Sequence, residues 1–403
     1  MTTSAAFVCD AVRTPFGSED GTLASIRSDD LAAVPIQALM KRNPDVDWAA
    51  VDDVIYGCGD QSGEDQQNVA RVAALLGGLP ESVPGMTVNR LCGSGLEAVA
   101  VAARAIKLRE GALYVAGGVG SVSRVAVVVP RTAAVMVSGV RPTDPASGWR
   151  FINPLIHERF GTHSAVETAE NVAAEFRISR SAQDAFAYRS QHRAADALKS
   201  GALGREIEAV RIRRRSSLHV LVERDEHPRP QTTFGELSLL KPIMRKGGTV
   251  TTGNSAPGAD GACAVVLASY AAAKRFKLAP RARVVAAAAA GVEPRFAGLG
   301  PVPAIRRVLA QAQITFSQVE LLELNEVSAA EVLAVLRELR LPDDAPFVNP
   351  NGGAIALGQP CAAGSARLVS SAVHEMQRAG ARYALCAART GMGQGMAMLL
   401  ERV

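Results

Sequence analysis

The chain has 403 residues, a formal net charge of +5 and a pI near 9.0, which is too long for one ordinary core and points to two or three domains. Hydrophobic residues make up 48% and aromatics only 4%, so the core is built from Ala, Val and Leu, and the mild basic excess lacks the aromatic interleaving of a nucleic-acid binder. Six cysteines with no CxxC pair argue against a disulfide framework or a zinc site; no run approaches a membrane span and MTTSAAFVCDAVRTPFG carries no signal pattern, so a cytoplasmic protein without metal is expected.

Ala5–Asp10 reads as a first strand, Asp29–Lys41 as an amphipathic helix, Val51–Gly57 as a short buried strand and Asn68–Leu76 as a helix. The extended Thr87-Val88-Asn89 then leads through Cys92, Gly93 and Gly95 into a helix from Leu96 to Leu108, followed by a buried strand, Ala112–Ala116. From Ser121 to Gly247 prolines and charge dominate, strand signals are few, and only Thr168–Phe176 and Ser181–Leu198 read as helices. Regularity returns at Thr249–Ser269. It continues through Val284–Ala290, Pro303–Gln311, Val319–Leu324, Ser328–Leu339, Phe347–Asn349, a helix over Ala362–Arg378, and strands at Tyr383–Ala387 and Gly395–Glu401. Strands alternating with helices imply a layered α/β fold.

Cys92 stands out because it sits at a glycine turn that opens a helix. Backbone N–H groups and the helix dipole there favour negative charge, so a thiolate forms more easily. The same residue also reads as one more small buried cysteine. An internal echo bears on the architecture: Val88-Asn89 leads through glycines into a helix, a buried strand and Gly117-Gly118, and Val348-Asn349 leads through Gly352-Gly353 into a helix, a strand and Gly391 to Gly395. Two such units suggest a duplicated fold whose loop ends meet at one crevice.

The stretches TVNRLCGSGLEAV, TAENVA with ISRSAQDAFAYRSQ, GTVTTGNSAPGADGA, LELNEVSAAEVLAVL, NPNGGAIALGQP and GMGQGMAM, taken together, resemble the thiolase family of acyl-coenzyme A C-acyltransferases from Phe7 to Val403. VDDVIYGC, GWRFINPL, RDEHPRPQTT and GMGQGMAMLLERV are most similar to the branch acting on β-ketoadipyl-coenzyme A. The resemblance implies two α/β halves, 1–120 with 248–272 and 273–403, and an inserted covering domain, 121–247. It also implies a dimer or tetramer of identical chains, and acyl-coenzyme A as substrate with no permanently bound cofactor. Cys92 matches the nucleophile that takes an acyl group from acetyl- or 3-oxoacyl-coenzyme A, including 3-oxoadipyl-coenzyme A, and Asn325 matches an asparagine that holds water beside it. Ser255 and Ala256 fall where the family touches the pantetheine arm.

The chain departs from that pattern where the chemistry is decided. Gln359 stands in place of the histidine of the GHP motif, and Arg389 in place of the second cysteine. An amide still donates a hydrogen bond to a thioester oxygen but does not shuttle protons, and guanidinium stays protonated. Loss of a positioned base costs on the order of 10²–10⁴-fold. Acylation of Cys92, assisted by the Arg389 charge, is therefore expected to survive while carbon–carbon chemistry stalls. A non-catalytic acyl-coenzyme A binder and a thioesterase are the alternatives. Cys386, an odd offset from Arg389, is expected in the core. Cys361, two residues past Gln359, is a better-placed stray thiol, although the family usually has an apolar helix-start residue there, and among the histidines His163 is the only candidate stand-in base. Arg213, Arg214 and Arg215 read either as a solvated turn or as a clamp for coenzyme A phosphates.

Overall fold

Strands that are apolar on both faces need cover on both faces, and that requirement organises the chain. A computed structural model describes residues 5–61, 63–64, 67–126, 128, 149–213 and 219–403. The strands among these are β1 (Ala6–Arg13), β2 (Gly17–Ser18), β3 (Asp53–Cys58), β4 (Gly85–Val88), β5 (Leu113–Gly120), β6 (Val210–Arg213), β7 (His219–Val222), β8 (Ala259–Ser269), β9 (Ala282–Gly291), β10 (Leu321–Leu324), β11 (Tyr383–Thr390) and β12 (Gln394–Arg402). The large sheet runs β10-β11-β12-β9-β1-β8-β5-β3-β4, with β2 paired to β8 off this path. Its halves repeat one pattern. β3 pairs in parallel with β4 and β5, and β10 in parallel with β11, while β5–β8 and β11–β12 are antiparallel. They meet where Phe7 and Val8 of β1 pair with Arg283 and Ala282 of β9.

Every residue of β1, β8 and β11 is buried. The reason is a central layer of two helices, Ser94–Leu108 and Cys361–Ala379, whose side chains share one apolar cluster with the inner faces of both half-sheets. Separate clusters lie on the outer faces, under the helices Ser28–Arg42 and Val69–Leu76 on one side and Pro301–Ala312 and Ala329–Glu338 on the other. The central helices approach closely because small residues line their contact. A Cβ at Gly95 would stand 2.2 Å from the carbonyl oxygen of Ala362, and the Ser365 hydroxyl accepts from the N–H groups of Gly95 and Leu96 at 3.1 and 3.3 Å. The helix starts are therefore neighbours, and so are the residues just before them.

The excursion contains the helices Ala165–Glu175 and Arg180–Lys199, each close to its expected span. It is pinned to β1 by the fully buried Arg13, which donates to Glu206 at 2.7 Å and to both oxygens of Asp225 at 2.6 and 2.8 Å. Two expectations are corrected. The arginine run is in part a hairpin: β6 pairs with β7, burying Val210 and Ile212 while Arg211 and Arg213 face outward. Phe347–Asn349 makes only one bridge, Val348 to Leu322, because Asn349 turns at φ +46 and its side chain pairs with the Leu324 backbone at 2.7 and 2.8 Å in place of a strand. Among the described residues no helix is long and apolar enough to cross a membrane.

Candidate active site

The turn before the first central helix is fixed by its own polar groups. Asn89 accepts from the Leu91 N–H at 2.8 Å, Ser94 accepts from the Arg90 N–H at 2.8 Å, and the Ser94 hydroxyl donates to the Leu91 carbonyl at 2.6 Å. Leu91 takes a left-handed φ of +52, which puts half-buried Cys92 immediately ahead of the helix N-cap, Gly93. A Cβ on Gly93 would lie 2.6 Å from the Thr390 methyl carbon, so the end of β11 closes over this turn.

The second central helix begins with Cys361, also half-buried, at φ +27. Its sulfur rests against Gly59, where a Cβ would stand 2.5 Å from it and 3.5 Å from the Leu91 carbonyl group. The Cys361 thiol therefore lies against the Leu91–Cys92 turn, and it is the neighbour with the largest influence on Cys92. That influence is the main cause lowering Cys92 to a pKa of about 6, and the Arg389 charge adds to it; burial and the charge of Glu331 oppose. Cys361 is pushed well above the ordinary thiol range by the Cys92 side chain, by burial and by the neighbouring charges of Cys92 and Cys58. The two shifts run in opposite directions, toward thiolate character at Cys92, the reactive form of sulfur, and toward a retained proton on Cys361.

Cys361, read from the sequence as the better-placed stray thiol, is the neighbour of the Cys92 turn in the fold.

Arg389 is buried at the end of β11, its Nε 3.6 Å from Glu331 Oε2. Neither of those two atoms makes a hydrogen bond. Burial pushes the Glu331 carboxyl up and the Arg389 charge works against it. Asn325 receives no side-chain partner at either amide atom although it is buried, while its N–H donates to Ala387 at 2.9 Å. Gln359 donates from its amide to the Cys361 carbonyl at 3.2 Å and leaves its oxygen unpartnered. The Ser255–Gly258 segment joins these pieces. Ser255 bridges Ser328, the Ala256 N–H donates to Val327 at 2.9 Å, and the Gln359 N–H donates to Pro257 at 2.9 Å. The Ser255 hydroxyl itself is turned back to Thr251 at 2.7 Å.

Other candidates are not gathered here. Arg213 lies with Arg211 and Lys41 along a groove of about 550 Å³ against the helix Ser28–Arg42, on the outer face of the sheet, opposite the central helices. Arg214 and Arg215 lie outside the described residues. His163 packs its imidazole on Gly161. The imidazole against the Gly358–Gln359 turn belongs instead to His227, whose pKa burial lowers. Cys386 is fully buried and donates to the Leu368 carbonyl at 3.3 Å, as its offset from Arg389 predicts. Among the described residues no group of three His, Cys, Asp or Glu is placed to hold a metal ion.

Residues 6–271 match the thiolase N-terminal domain and residues 278–402 the thiolase C-terminal domain. The chain is 53% identical over 398 residues to the 3-oxoadipyl-CoA/3-oxo-5,6-dehydrosuberyl-CoA thiolase of Escherichia coli strain K12, covering 99% of each. It is 51% identical to the β-ketoadipyl-CoA thiolase of Pseudomonas aeruginosa over 98% of this chain and 99% of that one. The acetyl-CoA acetyltransferase of Bacillus anthracis superposes with a TM-score of 0.93 at 36% identity over the whole of both chains. Human mitochondrial 3-ketoacyl-CoA thiolase in complex with CoA gives 0.91 at 35%, over 99% of this chain and 98% of that one. With a duplicated fold and a cysteine at the start of a central helix matched from end to end, the chain belongs to the thiolase family.

Proposed function

We propose that this thiolase exchanges acyl groups between coenzyme A thioesters through an acyl-enzyme on Cys92, with 3-oxoadipyl-coenzyme A or a closely related 3-oxoacyl ester of a dicarboxylic acid as substrate. The observation that carries the activity is the position of Cys92 at the mouth of a central helix, with Cys361 and the Arg389 charge both lowering its pKa. The substrate class is supported by full-length relatives whose names specify 3-oxoadipyl and β-ketoadipyl thioesters. In this reading the Cys92 thiolate adds to the substrate carbonyl. The unpartnered Asn325 amide and the Gln359 amide lie around the developing oxyanion, and the fixed charge of Arg389 favours the thiolate over the thiol.

The stall foreseen for carbon–carbon chemistry was argued from Gln359 and Arg389; in this reading it is relieved by the second thiol beside the Cys92 turn, Cys361. Gln359 still lacks the imidazole of the family pattern, so its contribution is a donor and not a proton shuttle. We place the enzyme in a reducing cytosol on the strength of its six free thiols. We also read it as an oligomer of identical chains, because β4 leaves an unpaired edge at the end of the sheet with Met86 41% exposed.

Intact mass after mixing with acetyl-coenzyme A, alongside thiolysis assays on 3-oxoadipyl- and acetoacetyl-coenzyme A, tests this. The expected outcome is one acetyl group on the protein, mapped to Cys92, and faster turnover of the dicarboxylate-derived ester. Tight coenzyme A binding without an adduct would make the chain a non-catalytic binder. An adduct that discharges only to free acid would make it a thioesterase.

A further inference from the structure

We infer, building on the acyl-Cys92 proposal above, that Cys361 is the catalytic acid and base of this site, a second thiol set by the start of a central helix against the turn of the nucleophile. Its sulfur lies against the turn that carries Cys92, since one Cβ built at Gly59 would meet the Cys361 sulfur at 2.5 Å and the Leu91 carbonyl group at 3.5 Å, and Cys361 is the neighbour that most influences Cys92. An acyl group on Cys92 has its carbonyl carbon one bond from the Cys92 sulfur, so the carbon that loses or gains a proton is formed beside Cys361.

The placement is built at some cost. Cys361 adopts φ +27, a left-handed region that strains a non-glycine residue. The backbone is held by the Gln359 amide on its carbonyl and by Gly358 at φ +92. Space for it depends on glycines: a Cβ at Gly59 would meet the sulfur at 2.5 Å and one at Gly120 would meet the Cys361 Cβ at 2.9 Å. The other groups of the site do not serve. The Gln359 amide does not titrate, the Arg389 guanidinium pairs with Glu331 and offers donors only, and Glu331 reaches Cys92 through its charge.

The steps balance without an outside oxidant or metal. In thiolysis the Cys92 thiolate forms a C–S bond to the 3-oxo carbon. The carbon–carbon bond breaks, and the departing carbanion of acetyl-coenzyme A takes the proton of Cys361. The acyl group then sits on Cys92 and Cys361 is a thiolate. It takes the proton of the incoming coenzyme A thiol, whose sulfur attacks the acyl carbon, and the C–S bond to Cys92 breaks to restore thiolate and thiol. Acylation itself prepares the second step. The Cys92 thiolate and its charge are among the causes that keep Cys361 protonated, and both vanish when Cys92 carries an acyl group.

The test compares wild type, Cys361→Ser and Cys361→Ala by three readouts: acetyl adduct by intact mass, thiolysis rate, and deuterium uptake from D₂O into the methyl group of acetyl-coenzyme A. Serine keeps a donor beside the Cys92 turn but no usable base. Cys361→Ser should therefore still accept the acetyl group while thiolysis and deuterium uptake fall roughly 10²–10⁴-fold. Cys361→Ala should lose both and also acylate more slowly at neutral pH. An adduct in wild type with unchanged exchange and thiolysis in Cys361→Ser overturns the inference alone. A wild type that forms no adduct overturns the acyl-enzyme proposal and this inference with it. Should either variant fail to fold, iodoacetamide on the wild-type protein decides: free enzyme is to be alkylated at Cys92 and acetyl-enzyme at Cys361, and alkylation of the acetyl-enzyme that spares Cys361 overturns the inference.

Discussion

Replacement of Cys92 by alanine is expected to abolish the acyl adduct and to lower thiolysis by roughly 10⁴-fold or more, the scale seen when a covalent nucleophile is removed. The turn should survive, because its geometry comes from Asn89, Ser94 and backbone hydrogen bonds and not from the thiol. Unchanged thermal melting together with lost activity is therefore the predicted signature. Cys361 loses the Cys92 sulfur and its charge in this variant, so its thiol should fall from its raised value and react more readily with alkylating agents. Activity retained in Cys92→Ala would move the nucleophile elsewhere.

Arg389→Met is expected to damage stability more than reactivity. Arg389 and Glu331 form a buried pair, and removing one partner of such a pair costs about 3–5 kcal/mol. The loss should sit at the lower end, because burial already pushes the Glu331 carboxyl up and losing the arginine, the largest cause opposing that, pushes it further toward its neutral form. The sign of the pH dependence follows. A carboxyl whose pKa is higher in the folded chain than in the unfolded chain disfavours folding as pH rises above the ordinary carboxylate range. The deficit of Arg389→Met relative to wild type should grow from acid toward neutral pH in chemical denaturation, and Glu331→Gln in the same chain should remove most of that growth. Cys92 loses one stabilising charge but keeps the influence of Cys361, so its pKa rises only part of the way to the ordinary value. A pH-independent deficit would show that the two side chains are not coupled.

How legible the fold was in the sequence depends on the element. The helices Ser94–Leu108 and Cys361–Ala379 and strands β1, β5, β8, β11 and β12 all fall near their expected positions, because long apolar runs ended by glycines leave few alternatives. The β6–β7 hairpin was hidden by charge: Val210 and Ile212 alternate with arginines, and the arginines drew the eye to solvent. Asn349 defeated the strand expected at Phe347–Asn349 by bonding Leu324 through its side chain, which no periodicity reports. In the site, Cys92, Asn325, Gln359 and Arg389 were legible through resemblance. Cys361 was not, since a family pattern assigns its place to an apolar residue, and the closeness of two helix starts is a tertiary fact set by Gly95, Ala362 and Ser365.

The account stands on the effect of Cys361 on Cys92. Its most direct measurement is the pH dependence of Cys92 alkylation by iodoacetamide, followed by peptide mapping in wild type and in Cys361→Ala. Wild type should show a midpoint well below the ordinary thiol value, with reactivity falling as the sulfur is protonated below it. The variant should move up toward the ordinary thiol value of 9.0, and each unit of that shift makes the thiolate about tenfold rarer at a pH below both midpoints. A wild-type midpoint in the ordinary thiol range, or one that Cys361→Ala leaves unmoved, would contradict it.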